Sequence, residues 1–183
     1  NDRLDEDYAE HLYHASIRDV LTGLYNRRYL TEALERDLAL ARRHDMPVTL
    51  ILVDVDHFKA INDSFGHRGG DAALQQLARL LTTMQRKESL IARFGGEEFA
   101  VLLRHVAPAG AEVFAERMRL AVQRTKFELP QGAVHLTASF GVAVTVTDDV
   151  DQPEALIEKA DRYLYLSKTR GRNCVTTGRS FSA

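Results

Sequence analysis

The chain has 183 residues, of which 27% are charged and 45% are hydrophobic, and its formal net charge at pH 7 is −2. This length suits one domain with a short appendage, since typical domains hold roughly 100–150 residues. The near-neutral balance lacks the basic excess of a general nucleic-acid binder, so any phosphate binding must be local. A single cysteine, Cys174, excludes an intrachain disulfide and favours a reducing compartment.

Targeting signals are missing from the sequence. The longest apolar runs fall far short of the roughly 20 residues that a membrane-spanning helix needs. The start at Asn1 lacks an initiating Met and the cationic and apolar regions of a signal peptide. We therefore expect a cytoplasmic segment of a longer protein, with no membrane contact of its own, although the whole protein could be attached to a membrane.

The front of the chain predicts a helix. Within residues 1–18, apolar side chains recur at helical spacing among charges, at Leu4, Tyr8, Leu12 and Ala15. This helix is either a linker docked on its own domain or the end of a coiled coil from an upstream domain. A turn with Gly and Asn follows at 19–27, and a second helix is expected over residues 28–44.

The middle of the chain alternates strands and helices. The apolar, β-branched run at 48–55 predicts a buried central strand that ends in carboxylates. A polar, Gly-containing segment is expected through Gly70, followed by a helix with an apolar face from Ala73 to Leu81. Residues 90–94 and 99–103 predict two strands folded around Gly95-Gly96, a dipeptide suited to a two-residue hairpin turn.

The remaining elements complete an α/β (α+β) domain over residues 19–176. We expect, in order, a helix at 109–126, a strand-rich stretch at 135–146, a helix at 153–168, an edge strand at 173–176 and a flexible tail at 177–183. This order predicts a mixed, antiparallel-containing central sheet flanked by helices, and not a doubly wound parallel sheet.

Carboxylates at the end of the central strand are the first candidates for chemistry. We predict that Asp54 and Asp56 lie on opposite faces of the strand, so that only one of them faces a given site. With a backbone carbonyl and a second carboxylate from Glu97 or Glu98 at the hairpin, one of them would form a hard oxygen cluster suited to Mg²⁺. Taken singly, the Asp pair could instead serve a turn or a cap, and the hairpin could be a solvated turn.

Several segments in a fixed order are more specific than either feature alone. They lie at residues 19–27, 54–63, 65–67, 70–71, 93–99 and 160–173. Together they resemble the GGDEF family of diguanylate cyclases, with Gly-Gly-Glu-Glu-Phe as a variant of the signature, over about 19–175. The resemblance implies a fold similar to the palm of polymerases and class III nucleotidyl cyclases. It also implies that two GTP molecules are joined into cyclic di-GMP with release of two pyrophosphates.

The resemblance implies roles for residues around the metal. Asp54, Glu97 and the backbone carbonyl of Val55 would hold Mg²⁺, with Mn²⁺ as a possible substitute, and Glu97 would also help to deprotonate the attacking 3′-hydroxyl. Lys59 would contact the triphosphate and stabilise the transition state, although it could be an ordinary surface lysine. For Glu98, a direct role and an electrostatic role in supporting the hairpin remain open.

Substrate contacts follow from the same resemblance. Lys168 and Arg172 would bind the β- and γ-phosphates, and they share one side of the last helix if helical geometry persists to residue 172, although cations are favoured at helix C-termini in any case. Asn62 and Asp71 match guanine-reading positions, and a carboxylate accepts the N1–H and N2–H donors that adenine lacks. Phe58 lies among the substrate-contacting positions, yet packing in the core is the simpler interpretation of its side chain.

Two further positions have plain interpretations. Asp63 is expected to be a structural cap, and His67 a structural loop histidine.

Many family members carry an inhibitory Arg-x-x-Asp site before the hairpin. Here Arg86 is retained, but Ser89 replaces the aspartate. A hydroxyl cannot accept both guanine donors as a carboxylate does, so we expect this site to be weak or absent.

The leading functional hypothesis is catalysis by two facing domains, each holding one GTP, in a homodimer supported by the upstream region. No nucleic-acid partner is expected. One alternative is a degenerate domain that only senses GTP or cyclic di-GMP, but Asp54, Lys59 and Glu97 are all present. Another is a relaxed cyclase that makes mixed GMP–AMP dinucleotides, which Asp71 argues against.

Overall fold

The computed structural model describes residues 12–181. Positions 1–11 of the predicted linker and positions 182–183 of the predicted tail lie outside the described residues. Residues 12–17 are helical. Ile17 is buried, and its carbonyl accepts a hydrogen bond from the Asn26 N–H at 2.9 Å, which joins this helix to the domain. The choice between a docked linker and a coiled-coil end stays a prediction.

Helices and strands follow one another along the chain in a mixed order. The helices are α1 (Arg27–His44), α2 (Phe58–Thr83), α3 (Pro108–Arg124), α4 (Thr145–Asp148) and α5 (Pro153–Thr169), with a final 3₁₀ turn at Gly178–Phe181. The strands are β1 (Val48–Val55), β2 (Ser89–Arg93), β3 (Glu98–Arg104), β4 (Lys126–Leu129), β5 (Gly132–His135), β6 (Ala138–Val144) and β7 (Val175–Thr177).

A five-stranded sheet in the order β2-β3-β1-β6-β7 forms the centre of the fold. Strand β1 runs antiparallel to both β3 and β6, while β7 runs parallel to β6. Helices α2 and α3 cover one face, and α1 and α5 cover the other, so all eight residues of β1 are buried. The predicted mixed sheet flanked by helices is confirmed.

Helix α5 packs directly on the backbone of β6. A Cβ atom on Gly141 would lie 2.2 Å from the Ala160 carbonyl oxygen and 2.3 Å from the Leu164 nitrogen. Since both contacts are to the backbone of α5, the glycine allows the helix to approach the sheet this closely. This contact sets the position of the C-terminal end of α5, which carries Lys168.

The segment after β1 differs from the prediction. It begins a helix at Phe58, whereas the sequence predicts an irregular segment as far as Gly70. The helix is interrupted by one non-helical residue, Gly66, with φ 70° and ψ 172°. Such a positive φ is open to glycine at little steric cost. The prediction of an irregular segment is wrong because burial of Phe58 and Ile61 holds the first half of α2 against the sheet.

Other boundaries also shift. The hairpin is connected by residues 94–97 and not by a two-residue turn, because the N–H groups of Phe94 and Gly95 both donate to the Glu98 carbonyl. Helix α3 ends at Arg124, and the small β4–β5 sheet follows it. Where the sequence predicts a flexible tail, β7 continues to Thr177 and the 3₁₀ turn extends to residue 181.

Among the described residues, none of the helices combines the length and the apolar character that crossing a bilayer requires.

Candidate active site

The carboxylates of Asp54, Glu97 and Glu98 meet where β1 ends beside the hairpin. Asp54 is paired with Glu98 across the β1–β3 ladder. The Val55 N–H donates to the Glu97 carbonyl at 3.2 Å, which ties the hairpin to the end of β1. Asp54 is only 5% exposed, while Glu97 and Glu98 are half-buried. The sheet register therefore brings together carboxylates that are more than 40 positions apart in sequence.

Burial and the charges of nearby carboxylates raise the pKa of all three groups. For Asp54 the main cause is burial, with a further contribution from the charge of Asp56, while contact with Lys168 lowers its pKa. Burial and then repulsion by Asp54 raise the pKa values of Glu97 and Glu98. Such a cluster is stabilised by a positive charge, because each carboxylate disfavours ionisation of its neighbours.

Lys168 supplies a positive charge to this cluster. Its Nζ atom lies 2.9 Å from Asp54 Oδ2, and its side chain is 33% exposed. The helix does not extend to Arg172, because α5 ends at Thr169 and Arg172 adopts a left-handed conformation with φ 65°. The condition for Lys168 and Arg172 to share one side of the helix is therefore not met, and the exposed Arg172 belongs to a turn after the helix.

The cluster suits a divalent cation in its chemistry. Within residues 12–181, no group of three His, Cys, Asp or Glu side chains is already arranged as a metal site, and Lys168 contacts the Asp54 carboxylate. However, Asp54 and Glu97 lie close enough to affect each other's ionisation, and Glu98 repels both Asp54 and Glu97. Oxygen ligands with excess negative charge are what Mg²⁺ prefers, so the residues fit this ion.

Asp56 has a different set of partners. It accepts hydrogen bonds from Ser139 Oγ and Thr137 Oγ1, both at 2.7 Å, and from the Asn173 N–H at 3.0 Å. Ser139 is also the cross-strand partner of Asp54. The prediction of opposite faces is wrong, because strand side chains two positions apart share a face. The Asp56 carboxylate differs from that of Asp54 in accepting hydrogen bonds from Thr137, Ser139 and Asn173, while its charge still acts on Asp54.

Lys59 lies in the first turn of α2 and not in a loop. Its side chain is 91% exposed, and its Nζ atom lies 3.4 Å from Asp63 Oδ2, one helical turn away. Asp63 is therefore an intrahelical ion-pair partner, and the prediction that it caps a helix is wrong. His67 is exposed and lies in the second part of α2, beyond Gly66, where the sequence predicts a loop.

Asn62 lies against the residue that precedes Asp71. A Cβ atom on Gly70 would lie 1.9 Å from Asn62 Oδ1 and 3.1 Å from Phe58 Cζ, so Gly70 gives both side chains the room they occupy. Asn62 is half-buried and Asp71 is exposed. Phe58, 9% exposed, packs in the core between α2 and the sheet. The fold thus brings the two predicted guanine-reading positions to one part of α2.

Arg93 is a site residue to which the sequence analysis gives no role. Its guanidinium donates to the carbonyls of Gly95 (3.1 Å) and Gly96 (2.7 Å), and to the Asp19 carboxylate at 3.2 Å. It therefore joins the hairpin connection to the turn at the front of the domain. The sequence offered one signal from which this contact could have been predicted: Asp19 and Arg93 both lie in segments that carry the family resemblance.

The predicted inhibitory position is a tight turn between α2 and β2. Ser89 Oγ accepts from the Arg86 N–H and donates to the Arg86 carbonyl, both at 2.8 Å. Ser89 is 6% exposed, so its hydroxyl is fully used within the turn. The Arg86 guanidinium lies 6.0 Å from the centre of the Phe114 ring.

Comparison with known proteins identifies the family. Residues 16–174 match the family described as diguanylate cyclase, GGDEF domain. The chain is 40% identical over 168 residues to the response regulator PleD of Caulobacter vibrioides, covering 91% of this chain and 37% of that protein. It is 39% identical over 167 residues to the probable diguanylate cyclase DgcF of Escherichia coli, covering 88% of this chain and 51% of that protein. The chain belongs to the GGDEF family.

A solved structure agrees with this assignment. The coiled coil and GGDEF domain of DgcB from Caulobacter crescentus, determined in complex with c-di-GMP, superposes with a TM-score of 0.89 at 30% sequence identity. The match covers 96% of this chain and 92% of that one. The fold is therefore that of the catalytic domain of diguanylate cyclases, while the chain spans only about a third to a half of the curated relatives named above.

Proposed function

We propose that this domain is an active diguanylate cyclase that condenses two GTP molecules into cyclic di-GMP and two pyrophosphates. The observation that carries the proposal is the carboxylate cluster of Asp54, Glu97 and Glu98 beside Lys168 at the end of β1. The curated relatives include proteins named as diguanylate cyclases, and this supports the same activity here. Since GTP is an intracellular substrate, the domain, which we take as residues 19–176, works in the cytoplasm.

Asp54, Glu97 and the Val55 carbonyl would hold Mg²⁺ or Mn²⁺, which supplies charge neutralisation at the phosphates and lowers the pKa of the attacking hydroxyl. Glu97 takes the proton from the 3′-hydroxyl as a general base. The 3′-oxygen then forms a bond to the α-phosphorus of the other GTP, and the bond from that phosphorus to pyrophosphate breaks. Glu98 adds to the negative field of the cluster.

Lys59, Lys168 and Arg172 bind the triphosphate. Lys59 is exposed and held only by a surface ion pair to Asp63, so little free energy opposes its turning towards the α-phosphate. Lys168 exchanges its contact with Asp54 for the β- and γ-phosphates, where Arg172 joins it. Asn62 and Asp71 accept the N1–H and N2–H groups of guanine.

Two copies of the domain are required by the product. Cyclic di-GMP contains two equivalent phosphodiester bonds, and each domain holds one GTP. A two-fold arrangement brings each 3′-hydroxyl to the other's α-phosphate. The region before residue 19 would hold two domains at a high local concentration and so promote this arrangement.

The decisive test is to incubate the purified fragment with GTP and Mg²⁺ and to separate the products by chromatography. We expect cyclic di-GMP and pyrophosphate from the wild type. We expect none from Glu97→Gln, which removes a charge from a half-buried hairpin residue and should keep the wild-type melting temperature. GTP binding without turnover would show a sensor domain. Mixed GMP–AMP products formed from equal GTP and ATP would show relaxed base selection.

A further inference from the structure

The turn that carries Arg172 has an unusual backbone. Helix α5 ends at Thr169, and Gly171, Arg172 and Asn173 then follow with φ values of 109°, 65° and 46°. Steric clashes disfavour the left-handed region for residues with a side chain. Arg172 and Asn173 are two adjacent residues of this kind, so contacts must hold them in that conformation. One contact is the hydrogen bond from the Arg172 N–H to the Ser167 carbonyl, at 3.0 Å.

Asn173 is held from two directions. Its N–H donates to Asp56 Oδ2 at 3.0 Å, which joins the turn to the end of β1. On the other side, Arg119 Nη1 in α3 donates to Asn173 Oδ1 at 2.8 Å and to the Asn173 carbonyl at 3.3 Å. Backbone and side chain of one residue are thus both fixed.

Arg119 is itself well ordered by its neighbours. It forms two hydrogen bonds with the Glu116 carboxylate, at 2.5 and 2.9 Å, and a third with Gln123 Oε1 at 2.9 Å. Its side chain is only 13% exposed. A guanidinium held in this way has little remaining rotamer freedom, so its contacts to Asn173 act as a rigid clamp.

We propose that Arg119 is a positioning residue for substrate: by clamping Asn173 it holds the left-handed turn and so directs the Arg172 guanidinium towards the triphosphate. This inference rests on the proposed function, in which Arg172 binds the β- and γ-phosphates. Arg172 lies between two fixed points, the Ser167 carbonyl and the clamped Asn173. Without the clamp the turn relaxes, and the Arg172 guanidinium loses its fixed direction.

The test is a calorimetric titration with 3′-deoxy-GTP and Mg²⁺, because this nucleotide lacks the attacking hydroxyl and is not turned over. We expect Arg119→Ala to weaken binding roughly tenfold to a hundredfold, which is the range for a lost hydrogen bond to a charged group. Arg172→Ala should weaken it equally. GMP, which has no β- or γ-phosphate, should bind the wild type and both variants alike. Arg117→Ala, an exposed arginine on the same helix, is the matched control and should bind as the wild type does.

The double variant separates positioning from general damage. Because Arg119 acts through Arg172, adding Arg119→Ala to Arg172→Ala should cause no further loss of affinity. Asn173→Gly is a second variant that cannot strain the turn, since glycine adopts positive φ freely. It removes the Oδ1 contact and should also weaken 3′-deoxy-GTP binding, with no further loss in the Arg172→Ala background.

Three results would overturn the proposal. The first is an unchanged affinity of Arg119→Ala for 3′-deoxy-GTP while Arg172→Ala binds this nucleotide weakly. The second is a double variant whose loss of affinity is the sum of the two single losses. The third is that Arg119→Ala weakens the binding of GMP as much as the binding of 3′-deoxy-GTP. In each case the proposed function stands, because the wild type still binds the triphosphate. A wild type that binds no 3′-deoxy-GTP would refute the proposed function together with this inference.

Discussion

Gly141→Ala tests whether the close packing of helix α5 on the sheet is needed both for the stability of the domain and for the position of Lys168. The new methyl group would lie 2.2 Å from the Ala160 carbonyl oxygen and 2.9 Å from the Leu164 Cα atom. These are backbone atoms, so no side chain can rotate away and the helix itself must move by about 1 Å or more to reach van der Waals distance.

The cost follows from what α5 buries. Leu156, Ala160 and Leu164 are at most 2% exposed and form part of the core on this face. Displacing them adds the penalty of an overpacked core, typically about 1–3 kcal/mol and occasionally more. Because the obstructing atoms are backbone, we expect a loss near 3 kcal/mol, a large share of the roughly 5–15 kcal/mol that stabilises an ordinary domain. Cyclase activity should fall as well, since Lys168 moves with the helix.

Urea unfolding followed by circular dichroism measures this loss as a lower midpoint at an unchanged m-value. Gly96→Ala is the matched control for stability, because no atom lies within 4 Å of the position of its Cβ. We expect the control to unfold within about 0.5 kcal/mol of the wild type, as exposed substitutions usually do. A loss of less than about 1 kcal/mol in Gly141→Ala would show that α5 accommodates the new methyl group at little cost, contrary to this prediction.

Three further predictions concern the proposed reaction. Asp71→Ala should reduce the preference for GTP over ATP, measured by competition, because the acceptor for guanine N1–H and N2–H is lost; an unchanged ratio would remove Asp71 from the base pocket. Specific activity should rise with enzyme concentration, or after fusion of a dimerising module before Asn1, whereas constant activity from a demonstrated monomer would contradict the two-domain mechanism. Added cyclic di-GMP should inhibit the wild type weakly and Ser89→Asp more strongly in initial-rate titrations, since a carboxylate provides the missing acceptor; strong wild-type inhibition that Arg86→Ala abolishes would show that the present turn already works as an inhibitory site.

The central strand and the long flanking helices were predictable from local patterns. Strand β1 is a continuous apolar run, and α1 and α5 are amphipathic segments with clear ends. The first half of α2 was not predictable, because Gly66, Gly69 and Gly70 indicate a loop when read locally. The helix persists because tertiary contacts outweigh this preference, with Phe58 and Ile61 buried beneath it.

The site was predictable only in part. The metal and base positions came from the family resemblance, since an Asp-x-Asp pair alone is ambiguous. The contact between Lys168 and Asp54 depends on how α5 packs on β6, which no local pattern encodes. The bond from Arg119 to Asn173 joins residues 54 positions apart in the chain, and Arg119 lies outside the segments that carry the family resemblance.

The break in helix α2 at Gly66 has a consequence for how this segment can change. Asn62 lies before the break and Asp71 after it, and contact at Gly70 holds the two parts together. Adding or removing one residue between 66 and 70 would rotate Asp71 by about 100° around the helix axis, since an α-helix has about 3.6 residues per turn. The exposed side chains at 67 and 68 are free to vary. The number of residues between the two proposed guanine-reading positions is not free to vary, so related chains should tolerate substitutions here but not insertions or deletions.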